Sequence, residues 1–284
     1  MQEISSHVYI EPVYPGVTLA AINCRHGLLL IDAPLRADDI RVWRTVLASM
    51  SGGYERLLVT LDEHYDRTLG ARQMECMIAG QERMTQIFKD RPLSFKTQGQ
   101  ETGSEWELIS GLGNIRWAAP EVTFSHSLNL YWDKFPLLLH AQPGPSWCST
   151  WVDLPAQKII FVGDTVITGA PVFLAHADLP AWQASIALLL SPAYRDYTIV
   201  SGRSGVVNLN DVKDQAKFLG KVEQQLDKLA GKENDPRELE HASMQLLKHF
   251  DRRSPNFEHY HIRLLHGLRQ YKKYHSVSSS SAVE

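Results

Sequence analysis

Short apolar runs and stretches of helical spacing alternate along the first part of the chain. Residues 17–23 and 27–31 are apolar and strand-like, and Arg25-His26-Gly27 between them reads as a tight hairpin turn with Gly27 at positive φ. Asp32-Ala33-Pro34 stops the second strand. Asp38 or Asp39 then caps a helix carrying Ile40, Trp43, Leu47 and Met50 on one face, which Ser51-Gly52-Gly53 ends. A buried strand opens at Leu57 and runs into the polar cluster Thr60-Leu61-Asp62-Glu63-His64-Tyr65-Asp66-Arg67. An amphipathic helical pattern follows from Leu69 to Phe88.

Residues 89–113 lose this regularity: Pro92, Gly99, Gly103, Gly111 and Gly113 punctuate a polar stretch, which reads as a surface insertion, either shaping substrate access or serving as mere connection. Strand signals return at 115–119, 121–124, 128–132, 137–140, 148–152 and 158–162, a spacing that predicts an antiparallel β-meander. A helix over 179–190 presents Trp182, Ile186, Leu189 and Leu190, and a last strand at 197–200 leads into Ser201-Gly202-Arg203-Ser204-Gly205. Beyond Asn208 the composition becomes helical. Three helices are expected, the second opening at Asp235-Pro236 and the third at Ser254-Pro255. Residues 1–207 thus form one domain, 208–275 a helical extension packed on it, and the Ser-rich 276–284 a disordered tail.

Composition narrows the class. Hydrophobic residues make up 44% and charged residues 21%, enough for a sizeable core, and a formal charge of −3 with no basic stripe gives no reason to expect a nucleic-acid partner. No apolar run is long enough to cross a membrane, and the N-terminus lacks a signal-peptide pattern. The three cysteines, Cys24, Cys76 and Cys148, lie far apart and suit a reducing compartment, so a soluble cytoplasmic protein is expected. Of twelve histidines, His241, His249, His259, His261, His266 and His275 fall in the extension and read as solvated helix positions.

Three chemistry-bearing side chains, Asp62, His64 and Asp66, stand where a strand meets a helix. An apolar strand precedes Gly163-Asp164-Thr165, and Pro143-Gly144-Pro145-Ser146-Trp147-Cys148-Ser149 lies before another. The order of these pieces resembles the metallo-β-lactamase superfamily over roughly residues 8–205. Residues 60–70 match T-x-H-x-H-x-D-H-x-x-G in length and position; residues 143–149 resemble P-G-H-[ST]-x-G-S. Residues 161–165 match F-x-G-D-T, and residues 201–205 stand where that family has P-G-H-G-P. The resemblance implies an α/β, four-layer αβ/βα sandwich with a site at the edge where two sheets meet.

Carried over position by position, the first-metal set becomes Asp62, His64 and Pro145, and the second-metal set becomes Asp66, Arg67 and Arg203, with Asp164 as the bridge. Proline offers no side-chain donor, and a guanidinium only donates hydrogen bonds, so Arg67 and Arg203 are not ligands. They are expected instead to replace the second metal, pairing with Asp66 and Asp164. Asp62, His64 and Asp164 remain as a set for at most one divalent ion, Zn²⁺, Mn²⁺ or Fe²⁺. His64, oriented by Asp62 or Asp66, is a candidate general base. Tyr65, Pro145, Ser146 and Thr165 would line the cleft, with Ser146, Cys148 and Thr165 as nucleophiles by neighbourhood only. The resemblance implies hydrolase ancestry, with mononuclear hydrolysis of an ester, thioester or phosphoester as the residual activity. Two other readings stand beside it. One is a non-catalytic protein holding a small anionic ligand in an arginine-lined cleft. The other is an interaction protein or homodimer built on the C-terminal helices.

Overall fold

The computed structural model describes residues 1–50, 53–96, 101–230 and 235–280, and the side chains of 276–280 lie outside that description. Ser51 and Gly52, read as a helix stop, and Gly99 fall outside the described residues. In chain order the elements begin with β1 (Gln2–Ser5), β2 (Val8–Glu11), β3 (Leu19–Asn23), β4 (Gly27–Ile31), α1 (Ala37–Ala48) and β5 (Glu55–Val59). There follow α2 (Tyr65–Thr68), β6 (Met77–Gln81), α3 (Arg83–Asp90), β7 (Ser94–Phe95), β8 (Ile115–Arg116), β9 (Val122–Phe124), β10 (Ser127–Leu130) and β11 (Leu137–Ala141). The chain continues with β12 (Thr150–Leu154), β13 (Ile159–Phe161), α4 (Leu179–Leu189), β14 (Thr198–Ser201) and β15 (Gly205–Val207). It closes on α5 (Leu209–Leu229), α6 (Pro236–Leu247) and α7 (Phe257–Ser280).

Among the described residues the strands form a seven-stranded sheet in the order β1-β2-β3-β4-β5-β6-β9, a six-stranded sheet β10-β11-β12-β13-β14-β15, and the small pair β7-β8. In the first sheet β4, β5, β6 and β9 run parallel, and in the second only β13 and β14 do. Period-two alternation sorts each strand's side chains into two layers. Ile22, Leu29, Val59, Leu139, Val152, Leu154 and Phe161 meet between the sheets. Leu30, Leu58 and Ala21 face the other way, onto Ile40, Trp43 and Leu47 of α1. Trp151, Ile160 and Ile199 point outward from the second sheet into Trp182 and Ile186 of α4, Leu219 of α5, Leu246 of α6 and Leu264 of α7. Helix, sheet, sheet, helix is the four-layer αβ/βα sandwich that the motif order implies.

Several expectations change. The amphipathic run from Leu69 to Phe88 is not one helix: α2 stops at Thr68, and Met77–Gln81 forms β6, parallel to β5. Apolar residues at 74, 78, 84 and 88 satisfy helical spacing, yet the β5 edge offers Ile78 and Ala79 a ladder that no local pattern announces. Gly80 marks the switch, since a Cβ there would come within 2.7 Å of Met84 Sδ. The antiparallel meander is confined to β10–β13; β8 pairs with β7, and β9 joins the first sheet beside β6. Gly27 is not in a positive-φ turn. It opens β4, where a Cβ would lie 1.9 Å from Glu55 O, so close approach explains it. Asp38 and Asp39 sit inside the first turn of α1, favourable for the helix dipole, and Arg36 is the cap position. The third C-terminal helix starts at Phe257, and it runs on to Ser280, into the stretch read as a tail.

Candidate functional site: an arginine–aspartate cluster

Four strands deliver the site. β4, β5, β13 and β14 end on the same edge of the sandwich because β4 runs parallel to β5 and β13 to β14. Their C-terminal extensions carry Asp32, residues 60–67, Asp164 and Arg203, and backbone hydrogen bonds stitch them together. Thr150 N donates to Leu61 O (2.7 Å), Gly202 N to Gly163 O (2.7 Å) and Thr18 N to Gly202 O (2.7 Å). Asp32 adopts φ of 57° and receives Leu61 N–H at 3.0 Å, a left-handed conformation that Asp tolerates better than most residues.

Arg67 occupies the centre. Its side chain is fully buried, with Nε 2.8 Å from Asp62 Oδ1, Nη1 2.7 Å from Asp32 Oδ2, and Nη2 paired with Asp164 Oδ1. Gly202 lies directly against the guanidinium; a Cβ there would come within 2.4 Å of Nη1. Arg203 forms the second half. Its Nε grips both oxygens of Asp164 (3.0 and 2.9 Å), and Nη1 donates to Asp66 Oδ2 (2.7 Å) and Gly16 O (3.0 Å). The face of Arg203 lies 4.5 Å over Phe173. Asp66 is completed by Trp106 N (2.9 Å) and Glu105 N (3.3 Å).

Two guanidinium groups thus serve four aspartates, and the protonation pattern follows. Burial would raise the Asp164 carboxyl, but Arg203 and Arg67 beside it hold it below the usual carboxylate range. At Asp66 burial is likewise overcome, by the charge and hydrogen bond of Arg203 and the N–H of Trp106. Burial pushes Asp62 up to about 7 against the pull of Arg67, and Asp32 is also raised by burial, which Arg67 only partly offsets. The two acids that meet Arg203 are thus held down, while at the two that meet Arg67 alone burial outweighs the arginine.

His64 caps α2. Its Nδ1 accepts from Asp66 N (3.2 Å) and faces Arg203 Nη2 (3.1 Å), so the ring proton belongs on Nε2, which lies 3.4 Å from Ser104 Oγ. Burial first, then Arg203, pushes the imidazole down to about 3. His64 is therefore neutral with its basic nitrogen already occupied, and Asp66, held ionised by Arg203 and hydrogen-bonded by two backbone N–H groups, is a weak base.

The other expected cleft residues divide. Pro145 and Ser146 are buried beside the cluster, and Ser146 Oγ donates to Glu63 Oε2 at 2.5 Å. Thr165 faces the outer helices instead: Trp151 Nε1 donates to its Oγ1 (2.9 Å) and Trp182 Nε1 to its carbonyl (2.9 Å). The Tyr65 ring turns into an aromatic cluster with Phe95, Trp106 and Trp117, capped by Arg91 at 4.5 Å. Cys148 is fully buried, which pushes its thiol up and away from reactivity.

Sequence reasoning passed over several members of the site. Asp32 had a signal, as an aspartate ending a strand. Glu63, Phe173, His176 and residues 104–106 had none, because only the tertiary fold brings them near. The extension also reaches the site. Arg263 of α7 donates to Gly103 O (2.7 Å), Pro171 O (3.0 Å) and Glu105 Oε1 (2.6 Å), and stacks on the Phe173 ring at 4.2 Å. His259, expected in solvent, is buried and donates Nε2–H to Ser104 O (2.9 Å). Phe173 is consequently held between Arg203 and Arg263, with its ring 4.4 Å from that of His64.

The residues present do not fit a metal pair. Arg67 nitrogens contact the carboxylates that would be ligands, Pro145 has no donor atom, and both oxygens of Asp164 are engaged by arginine. For the single-ion set Asp62, His64 and Asp164 the same donors intervene. Among the described residues no group of three or more His, Cys, Asp or Glu side chains is arranged to hold an ion.

The sequence matches no family model and no curated protein. Solved structures do resemble it. A metallo-beta-lactamase from Pontibacter korlensis is 17% identical with a TM-score of 0.60, over 77% of this chain and 97% of that one. A metallo-beta-lactamase family protein from Thermus thermophilus is 14% identical with a TM-score of 0.64, over 96% of this chain and 95% of the other, so the likeness includes C-terminal helices. A stereoselective inverting sec-alkylsulfatase from Pseudomonas sp. is 16% identical with a TM-score of 0.62, over 96% of this chain but 49% of its own length. The chain has the metallo-β-lactamase fold.

Proposed function

We propose that this protein descends from metal-dependent hydrolases and that its arginine–aspartate cluster has taken the place of both metals, so that metal-activated hydrolysis is not its activity. The observation that carries the reading is Arg67, fully buried and paired to Asp32, Asp62 and Asp164 at once. A dinuclear centre offsets the repulsion of crowded carboxylates with metal charge, and two guanidinium groups supply the same compensation with fixed geometry. Metal-activated water, with its pKa brought near 7, is the nucleophile such hydrolases rely on. Nothing in the cluster substitutes for it, because the basic nitrogen of His64 is occupied and Asp66, held ionised by Arg203, is a weak base. The arginines also have little left to offer an anionic ligand, since their donors already meet carboxylates, a carbonyl and an imidazole.

The test is elemental analysis of protein purified from medium enriched in zinc, manganese and iron, joined to melting curves with each ion and to a panel of ester, thioester and phosphoester substrates. Far less than one ion per chain, an unchanged melting temperature and no turnover are expected. A stoichiometric metal that supports turnover and is lost in Asp164→Asn overturns the proposal.

A further inference from the structure

Every buried aspartate in the cluster has an arginine on its carboxylate, but for its neighbour Glu63 the nearby arginine, Arg91, donates Nη2–H to the main-chain carbonyl instead. Glu63 is 6% exposed, and among the described residues its carboxylate forms no ion pair with a lysine or arginine. Ser146 Oγ–H occupies Oε2 at 2.5 Å, while Oε1 faces His176 Nδ1, 3.5 Å away. Burying a carboxylate without a cation bonded to its own oxygens is costly, and an imidazole is a cation only when protonated. The His176 side chain is 51% exposed, so this is the edge of Glu63 that opens to solvent.

Two further rings continue from His176 along the surface. Trp147, which directly follows Ser146, is 42% exposed and Tyr274 of α7 is 43% exposed. Their rings meet edge to face with centroids 6.3 Å apart, and His176 meets Tyr274 the same way at 5.5 Å. A buried anion with a row of partly exposed aromatic rings leading away from it is an arrangement that attracts organic cations: the ring quadrupole favours positive charge, and the carboxylate accepts its N–H donors.

We propose that Glu63, Trp147 and Tyr274 form a binding site for an organic primary ammonium compound, whose charged end takes the place of His176 at Glu63 Oε1 while its apolar body lies on the two rings. The inference concerns a different carboxylate from those held by Arg67 and Arg203, and it stands or falls apart from the metal question.

Isothermal titration with n-butylammonium chloride, against ammonium and tetramethylammonium chloride at equal ionic strength, tests it. Saturable binding of n-butylammonium is expected, with ammonium lacking the apolar body and tetramethylammonium lacking the N–H donors. Glu63→Gln, which keeps an acceptor for Ser146, weakens it about tenfold or more. Trp147→Ala, a surface change that leaves the core intact, weakens it about threefold. No saturable binding, unchanged affinity in both variants, or equal affinity for tetramethylammonium overturns the proposal.

Discussion

Replacing Arg67 with methionine asks how much the cluster contributes. Methionine fills the space of the aliphatic stem but leaves Asp32, Asp62 and Asp164 buried at 0%, 3% and 4% exposure, with only Arg203 nearby as compensation. Removing one partner of a buried ion pair costs about 3–5 kcal/mol, because a charge is left desolvated and unpaired. Arg67 has three such partners, but protonation of Asp32 and Asp62 relieves part of the penalty, so the loss is placed at about 4 kcal/mol. In a chain of this size that corresponds to a fall of about 10 °C in melting temperature. Arg67→Lys keeps the charge but not the planar fork, and is expected to lose about 2 kcal/mol. Urea denaturation followed by far-ultraviolet circular dichroism at pH 7 measures both. The deficit of Arg67→Met should shrink as pH falls, since carboxylates freed of their cation take up protons more readily in the folded state. A variant within about 0.5 kcal/mol of the parent at pH 7 would refute the reasoning and make the cluster incidental.

Gly202→Ala places a methyl group 2.4 Å from Arg67 Nη1 and is expected to lower stability by about 2–3 kcal/mol in the same urea assay. Arg263→Ala removes three hydrogen bonds from a fully buried side chain and frees α7 from residues 103–105, so native-state hydrogen exchange should show α7 losing protection by about 2 kcal/mol or more. Asp153 lies 6% exposed with Oδ1 unpartnered, and burial raises its carboxyl from 3.8 to about 6. Its folded-state pKa is the higher one, so its contribution is fully present below pH 3.8 and lost as pH rises through about 6. Asp153→Asn should therefore gain on the parent across that interval, reaching about 2 kcal/mol at pH 7, as read from urea midpoints against pH.

What the linear chain determined by itself is considerable. Continuous apolar runs at 17–23 and 27–31 specify strands buried on both faces, and the order of the polar clusters at 60–70, 161–165 and 201–205 specifies which strand ends carry chemistry. The residue types at 67, 145 and 203 already show that those ends cannot assemble a metal pair, because a guanidinium never offers a lone pair and proline offers no side-chain donor. Local pattern could not reveal β6, hidden in a run of helical spacing, nor the partners of β8 and β9, because strand pairing is decided by edges far away in the chain. The same limit applied at the site. Asp32 joins Arg67 across 35 residues, Trp106 N–H reaches Asp66 across 40, and Arg263 reaches Gly103 across 160. Only packing set those separations to hydrogen-bond length. Packing also turned Tyr65 and Thr165 away from the cleft, occupied the basic nitrogen of His64 and left the Glu63 carboxylate without an arginine partner. A sequence names the charges a site contains, but whether each charge is paired depends on distances of about 3 Å that only the folded chain decides.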